Sequence, residues 1–178
     1  MKKLYFVRHG LTEMNVAGLW SGSTETSLTN DGRAQARKAG QAAKALGIDA
    51  IVSSTMGRAV ETAQIIAKEI GYPAENIHTS SLLIERHFGA LEGQPYFPDL
   101  NMDGVADVES VETLLGRAKL ALEWINTIPG NTILIVSHGS TGRAIRHVLH
   151  PEIPFKGNHF PNAEIRELLQ TNDINPSK

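Results

Sequence analysis

Leu4-Tyr5-Phe6-Val7-Arg8-His9-Gly10 and, far along the chain, Thr132-Ile133-Leu134-Ile135-Val136-Ser137-His138-Gly139 are two apolar runs that each give way to a histidine followed by a glycine. Short runs without polar alternation read as strands buried on both faces, as in a parallel sheet covered by helices. A histidine where such a strand ends, beside an arginine that cannot lose its charge, is placed to meet an anion such as phosphate.

Working outward, helical patterns alternate with these runs. Ala34, Ala36, Ala39, Ala43 and Leu46 give one small-residue face to a helix over Arg33–Leu46, with Gly47 as its cap. Ile48–Val52 reads as a second strand with Ser53-Ser54 as its exit. Gly57–Ile70 follows as a helix closed by Gly71-Tyr72-Pro73. Ile77–Thr79 with Leu82–Ile84 makes a weak third strand. Residues 89–108 carry Gly, Pro, Asn and Asp without periodicity and read as a long surface excursion, a length often tied to function. A helix over Val111–Ile128, the 132–136 strand, a helix over Ser140–Leu149 and an edge strand or short helix over Ala163–Leu169 complete the pattern. The expectation is an α/β protein with a parallel sheet between helical layers, one domain over residues 1–178.

Composition narrows the partners. A net charge of -2 provides no general attraction to nucleic acid or anionic membranes, so an anion site has to be built locally. The chain has no cysteine, which removes disulfides, thiolate nucleophiles and cysteine-ligated zinc. The apolar stretch after Lys2 and Lys3 stops at Val7, far short of the ~20 residues of a membrane span, and a cytoplasmic protein is expected. His147 and His150 are three apart on a helix, but no carboxylate or cysteine completes a metal site. No metal is expected.

The polar residues fall at the ends of strands: Arg8 and His9, Ser53 to Arg58, Glu85, and Ser137-His138-Gly139. All would lie along the carboxyl edge of one sheet, where open α/β sheets bind ligands. Two arginines and two histidines around one anion supply bidentate donors and a nucleophile that can be phosphorylated, and Glu85 supplies an acid or base. Neighbouring positive charge would keep His9 neutral, with a free lone pair. Ser137 is not a hydrolase nucleophile, because Ser-His-Gly lacks the Gly-x-Ser-x-Gly elbow.

Arg8-His9-Gly10, Thr12, Asn15, Ser54, Arg58-Ala59, Thr62-Ala63, Glu85, Phe88-Gly89, Leu91-Glu92-Gly93 and Ser137-His138-Gly139, in this order, resemble the histidine phosphatase superfamily in its phosphoglycerate mutase-like branch. The resemblance implies a three-layer α/β/α sandwich on a mostly parallel sheet, a phosphohistidine on His9, a phosphoryl group held by Arg8, Arg58 and His138, and proton transfer by Glu85. It also implies substrate contacts from Asn15, Ser21 and Gly22, with Thr12, Arg86 and Gly139 as further binding positions; Trp20, separately, reads as a pocket-lining residue. Two departures bear on the reaction. Phe88 lacks the hydroxyl of the mutases' tyrosine, and the stretch from His87 to Ala118 has no lysine and one arginine, Arg117, against Glu92, Asp99, Asp103, Asp107, Glu109 and Glu112. An acidic lid would repel a second anionic group and suits hydrolysis. The expected activity is a metal-independent phosphatase acting on a small phosphorylated metabolite without a cofactor, as monomer or homodimer. The alternatives are a mutase primed by 2,3-bisphosphoglycerate and a non-catalytic binding protein.

Overall fold

The sheet runs β3-β2-β4-β1-β5, formed by β1 (Lys3–Arg8), β2 (Ala50–Ser54), β3 (His78–Ser80), β4 (Thr132–Ser137) and β5 (Ile165–Leu169) in a computed structural model that describes residues 2–98 and 100–169. Asp99 of the acidic stretch and the tail after Leu169 fall outside the described residues. The first four strands are parallel, and β5 pairs antiparallel with β1. The helices are α1 (Glu13–Val16), α2 (Asn30–Ala43), α3 (Gly57–Ile70), α4 (Val111–Thr127) and α5 (Gly139–Leu149).

Successive residues of the central strands face opposite layers. Leu4, Phe6, Val52, Ile133 and Ile135 pack with α4 and α5, while Tyr5, Val7, Ile51, Leu134 and Val136 pack with α2 and α3. Unbroken apolar runs thus follow from burial on both faces, and the architecture is the expected three-layer α/β/α sandwich. The alanine face of α2 lets it lie close on α3 and the sheet, and Gly142 of α5 stands where a Cβ would enter the ring of Phe6. Among the described residues no helix is long and apolar enough to cross a membrane.

Most differences from the sequence reading lie at element ends. Helix α2 starts at Asn30, three residues earlier than Arg33, because the Thr29 hydroxyl accepts from Gly32 N–H as an N-cap. The second strand is shifted to Ala50–Ser54, and Leu82-Leu83 form a 3-10 turn over Ser81–Leu83 rather than a strand. Helix α3 and its left-handed Gly71 fall where the pattern places them. The edge-strand alternative holds for β5.

Register brings the site together. Arg8 is the partner of Ser137 and Ser53 of Val136, so three strands end at the same height. Gly10 is needed there: a Cβ on it would run into the backbone of Gly32, and one on Gly32 into Leu11. The loop after β1 therefore rests directly on the first turn of α2. Gly10→Ala is expected to destabilise the fold by about 1–3 kcal/mol through overpacking, read as a lower urea midpoint.

Candidate active site

The two histidines meet at the carboxyl edge, ring centroids 5.2 Å apart. His9 is 4 % exposed and His138 fully buried. His9 Nδ1 lies 2.8 Å from the Gly10 carbonyl, which can only accept, so Nδ1 carries the hydrogen. The lone pair is then on Nε2, where Arg58 Nε donates at 3.3 Å. Burial, with Arg8 and Arg58 adding to it, pushes the His9 imidazole well below its ordinary range. The sequence reading credits positive charge alone; burial is the larger cause.

His138 Nε2 is 2.8 Å from Ser54 Oγ, which already accepts from Met56 N–H and has its own hydrogen to give. With Nε2 accepting, Nδ1 bears a hydrogen, and it is a buried atom without a partner. Such a donor is what a phosphoryl oxygen requires. Burial, His9 and the arginines hold this ring well below the ordinary imidazole value as well. Both lowered values carry one sign: the unfolded chain takes up protons that the native sites refuse. Folding stability is therefore expected to fall as pH drops below about 6.5, by up to about 1.4 kcal/mol per pH unit for each histidine. Urea unfolding at pH 7 and 5.5 reads this above the range where carboxylates titrate.

Arg58, in the first turn of α3, is 2 % exposed. Its Nη1 donates to Thr24 O at 2.9 Å and its Nη2 to Gly22 O at 2.7 Å, so it orders loop 22–24 while facing His9. Burial lowers its pKa, opposed by Glu85 and Glu25. Thr62, one turn on, ties Arg58 O to Gly10 N–H through its hydroxyl. Arg8 donates from Nη1 to Phe160 O at 3.3 Å, its Nε has no partner, and its pKa is lowered by burial against the pull of Glu85.

The Glu85 carboxylate sits on the first turn of α5, taking Ser140 N–H at 3.1 Å and Thr141 N–H at 3.2 Å, with Arg86 N–H at 2.8 Å. Glu25 occupies the first turn of α3 in the same way, at 3.2 Å from Gly57 N. The positive ends of these two helices are thus met by carboxylates instead of opening freely into the crevice. Glu85 itself is fixed by Arg117, whose guanidinium donates to Leu82 O, Ile84 O and Glu85 O and grips Glu109 through Nε at 3.0 Å and Nη2 at 2.9 Å. Composition shows Arg117 only as one basic residue among acids; its carbonyl partners, more than thirty residues back, have no local signature. Arg117→Lys keeps the charge but cannot span three carbonyls and a bidentate carboxylate. It is expected to lower kcat for phosphate-ester hydrolysis about tenfold, and circular dichroism separates that from unfolding.

The acidic stretch needs correction as well. Glu109 is spent on Arg117 and His87 N–H. Glu92 receives Ser23 N–H and Oγ, Thr24 Oγ1 and Phe88 N–H, with His87 Nδ1 at 3.0 Å. Burial works against its ionisation, yet these bonds leave its carboxyl below the ordinary range. These two acids are fasteners joining loop 22–24 to the excursion and the excursion to α4, so the picture of a uniformly repelling lid does not hold.

Gly22 fits above Glu92 only without a Cβ. Trp20 is buried between Phe88 and Tyr96, at 4.6 and 4.5 Å between centroids, and Tyr96 is near enough to Arg8 to bear on its charge. Tyr96 and the Ser54 relay to His138 are absent from the sequence-based set. Asn15 and Thr12 form a reciprocal capping box on α1, and Asn162 Nδ2 bonds His9 O at 2.9 Å and reaches Asn15 Oδ1 at 3.4 Å. Thr12 is wholly buried, which suits it to shaping this loop rather than to touching a ligand. The Ser21 hydroxyl is buried without a partner, and Arg86 donates to Glu109 O while lying over Phe88. Gly139 stands beside Arg8 Nε and Glu85 Oε2. His147 and His150 are held by the carbonyls of Ile153 and Leu168.

An open α/β sheet with a basic crevice built on paired histidines at the carboxyl ends of its strands defines the class. Within it, the family model of the histidine phosphatase superfamily (branch 1) matches residues 4–174, and the chain belongs to that family. It is 36 % identical over 154 residues to the probable phosphoglycerate mutase GpmB of Serratia proteamaculans, covering 78 % of this chain and 70 % of that protein. A phosphoserine phosphatase mutant from Entamoeba histolytica, solved with phosphoserine, superimposes with a TM-score of 0.77 at 29 % identity, over 93 % of this chain and 89 % of that one. The phosphoglycerate mutase of Bacillus anthracis shares the fold at a TM-score of 0.79 and 21 % identity, over 93 % and 86 % of the two chains.

Proposed function

We propose that this chain is a metal-independent phosphatase of the cytoplasm that hydrolyses a small phosphomonoester through a phosphohistidine on His9. The observation that carries the reading is the neutral His9, with its Nε2 lone pair among Arg8, Arg58 and the unpartnered Nδ1 of His138. The phosphoryl group enters between His9 and Arg58, whose 3.3 Å contact is long enough to yield. Nε2 bonds to phosphorus as the ester P–O bond breaks, and Glu85, entering this step as the carboxylic acid, gives its proton to the leaving oxygen and is left as the carboxylate. Water then attacks phosphorus while Glu85 takes back a proton, the P–N bond breaks, and inorganic phosphate departs. Arg8, Arg58 and His138 stabilise the equatorial oxygens throughout.

Hydrolysis is favoured over mutase action because the excursion over 89–108 contains no lysine or arginine, and Arg117 beyond it is committed to Glu109 and backbone carbonyls. Nothing basic comes from that side to retain a bisphosphate intermediate. The mutase reading rests on the named relative and on Glu85-Arg86-His87-Phe88-Gly89, and would need 2,3-bisphosphoglycerate as primer. The test is p-nitrophenyl phosphate hydrolysis with a chelator present, beside interconversion of 3- and 2-phosphoglycerate. Hydrolysis unaffected by the chelator is expected; interconversion faster than hydrolysis overturns the preference.

A further inference from the structure

A guanidinium is planar, so two partners that fix its Nη atoms also fix the direction in which its Nε points. For Arg58 those partners are Thr24 O on Nη1 at 2.9 Å and Gly22 O on Nη2 at 2.7 Å, and the direction so fixed is towards His9 Nε2 at 3.3 Å. Among the described residues no carboxylate holds this guanidinium directly. The aim of Arg58 therefore depends on what keeps two backbone carbonyls in place.

Gly22 O belongs to the same planar peptide unit as Ser23 N–H, and the two groups point opposite ways. That N–H donates to Glu92 Oε1 at 2.9 Å, while the carbonyl faces Arg58. Glu92 and Arg58 thus grip one peptide group from its two ends. The unit follows a glycine at φ 49°, where rotation of the whole group meets little steric resistance, so the bond to Glu92 is what keeps the carbonyl from turning away. The same carboxylate takes Thr24 Oγ1 on Oε2 at 2.6 Å, which steadies the residue that supplies the second carbonyl. Its own position is set from the excursion, through Phe88 N–H at 3.0 Å. Gly22 also lacks the Cβ that would run into this carboxylate, so the backbone is shaped to admit it.

We propose that Glu92 is a positioning residue for the phosphoryl site, aiming Arg58 at His9 through the Gly22-Ser23 peptide group. The inference rests on the phosphatase reading for the part that Arg58 plays. Glu92 lies far from the reacting atoms along this path and neither gives nor takes a proton in the reaction. The excursion over 89–108 is thereby coupled to catalysis through one peptide plane, because the residue that fastens it also orients the cation facing the nucleophile.

The test is a double-mutant cycle read on p-nitrophenyl phosphate. Glu92→Asp keeps the charge, but it is one methylene shorter and cannot hold Phe88 N–H and Ser23 N–H together. It is expected to lower kcat about tenfold to a hundredfold in the wild-type background, as a misplaced catalytic group does. In Arg58→Lys, where the two carbonyls no longer set a guanidinium plane, the further loss should be less than about threefold. Glu92→Gln gives up the charge but keeps a carbonyl oxygen for Ser23 N–H, and should recover most of the rate. Equal losses in the two backgrounds, a wild-type rate in Glu92→Asp, or a rate in Glu92→Gln as low as in Glu92→Asp each overturn the proposal. Urea midpoints report whether each variant is folded; should Glu92→Asp not fold, Gly22→Ala, whose Cβ displaces the carboxylate, takes its place in the cycle. If the wild type hydrolyses no ester, the phosphatase reading fails by itself. The cycle is then read on calorimetric affinity for inorganic phosphate, where equal losses again overturn the role of Glu92, and a wild type that binds no phosphate overturns both.

Discussion

His9→Ala is expected to reduce kcat for p-nitrophenyl phosphate by a factor on the order of 10⁴ or more, because it removes the nucleophile and not one of several stabilising groups. The wild-type protein, quenched after mixing with a radiolabelled phosphate ester, is expected to carry a label that survives alkali and is lost in acid, as a P–N bond is. The variant should carry none. Folding gives an independent check, since the alanine removes one of the two imidazoles that resist protonation. The loss of stability between pH 7 and 5.5 should shrink by about half in His9→Ala. Residual turnover near the wild-type level, or a label that persists in the variant, would sink the phosphohistidine mechanism whatever the substrate.

The second large effect is expected at Arg58. This guanidinium holds Thr24 O and Gly22 O while its Nε faces His9 Nε2, so one side chain both shapes the loop and, in the proposed mechanism, is placed to meet the phosphoryl group. Arg58→Ala should lower kcat/KM by about 10²–10³ from the lost charge stabilisation alone. It should also destabilise the fold by about 2–4 kcal/mol, because two carbonyls lose buried partners. Arg58→Lys separates the two roles. An ammonium restores the charge but cannot reach both carbonyls at once, so stability should return only in part and activity should stay at least tenfold low. Activity in the alanine variant within threefold of wild type would remove Arg58 from the phosphoryl site and leave it a loop anchor.

Strand ends were the most legible part of the molecule. Arg8-His9 and Ser137-His138 close two apolar runs, and once those runs are neighbouring parallel strands, with Arg8 opposite Ser137, their exits must coincide. Helix α3 was equally plain, with Gly71 at a left-handed C-terminus. The periodic pattern starts helix α2 three residues late because its apolar face begins after its cap; Thr29, and not the first alanine, starts the helix. The charges of the excursion are the least legible feature. As a count of acids they suggest repulsion, yet Glu92 is fastened to Ser23 and Thr24, almost seventy residues away, and Glu109 to Arg117 on the helix that follows it.

The sequence by itself thus determined the layered sheet and the strand-end residues that it brings to one edge, because buried strands and their exits are written in contiguous stretches whose period and chemistry are local. Only the tertiary structure decided which charges remain available. That includes the open donor on His138 and the bracing of Glu85 by Arg117. Each depends on a hydrogen bond between segments distant along the chain, and such bonds form only where packing removes water and leaves one partner within reach.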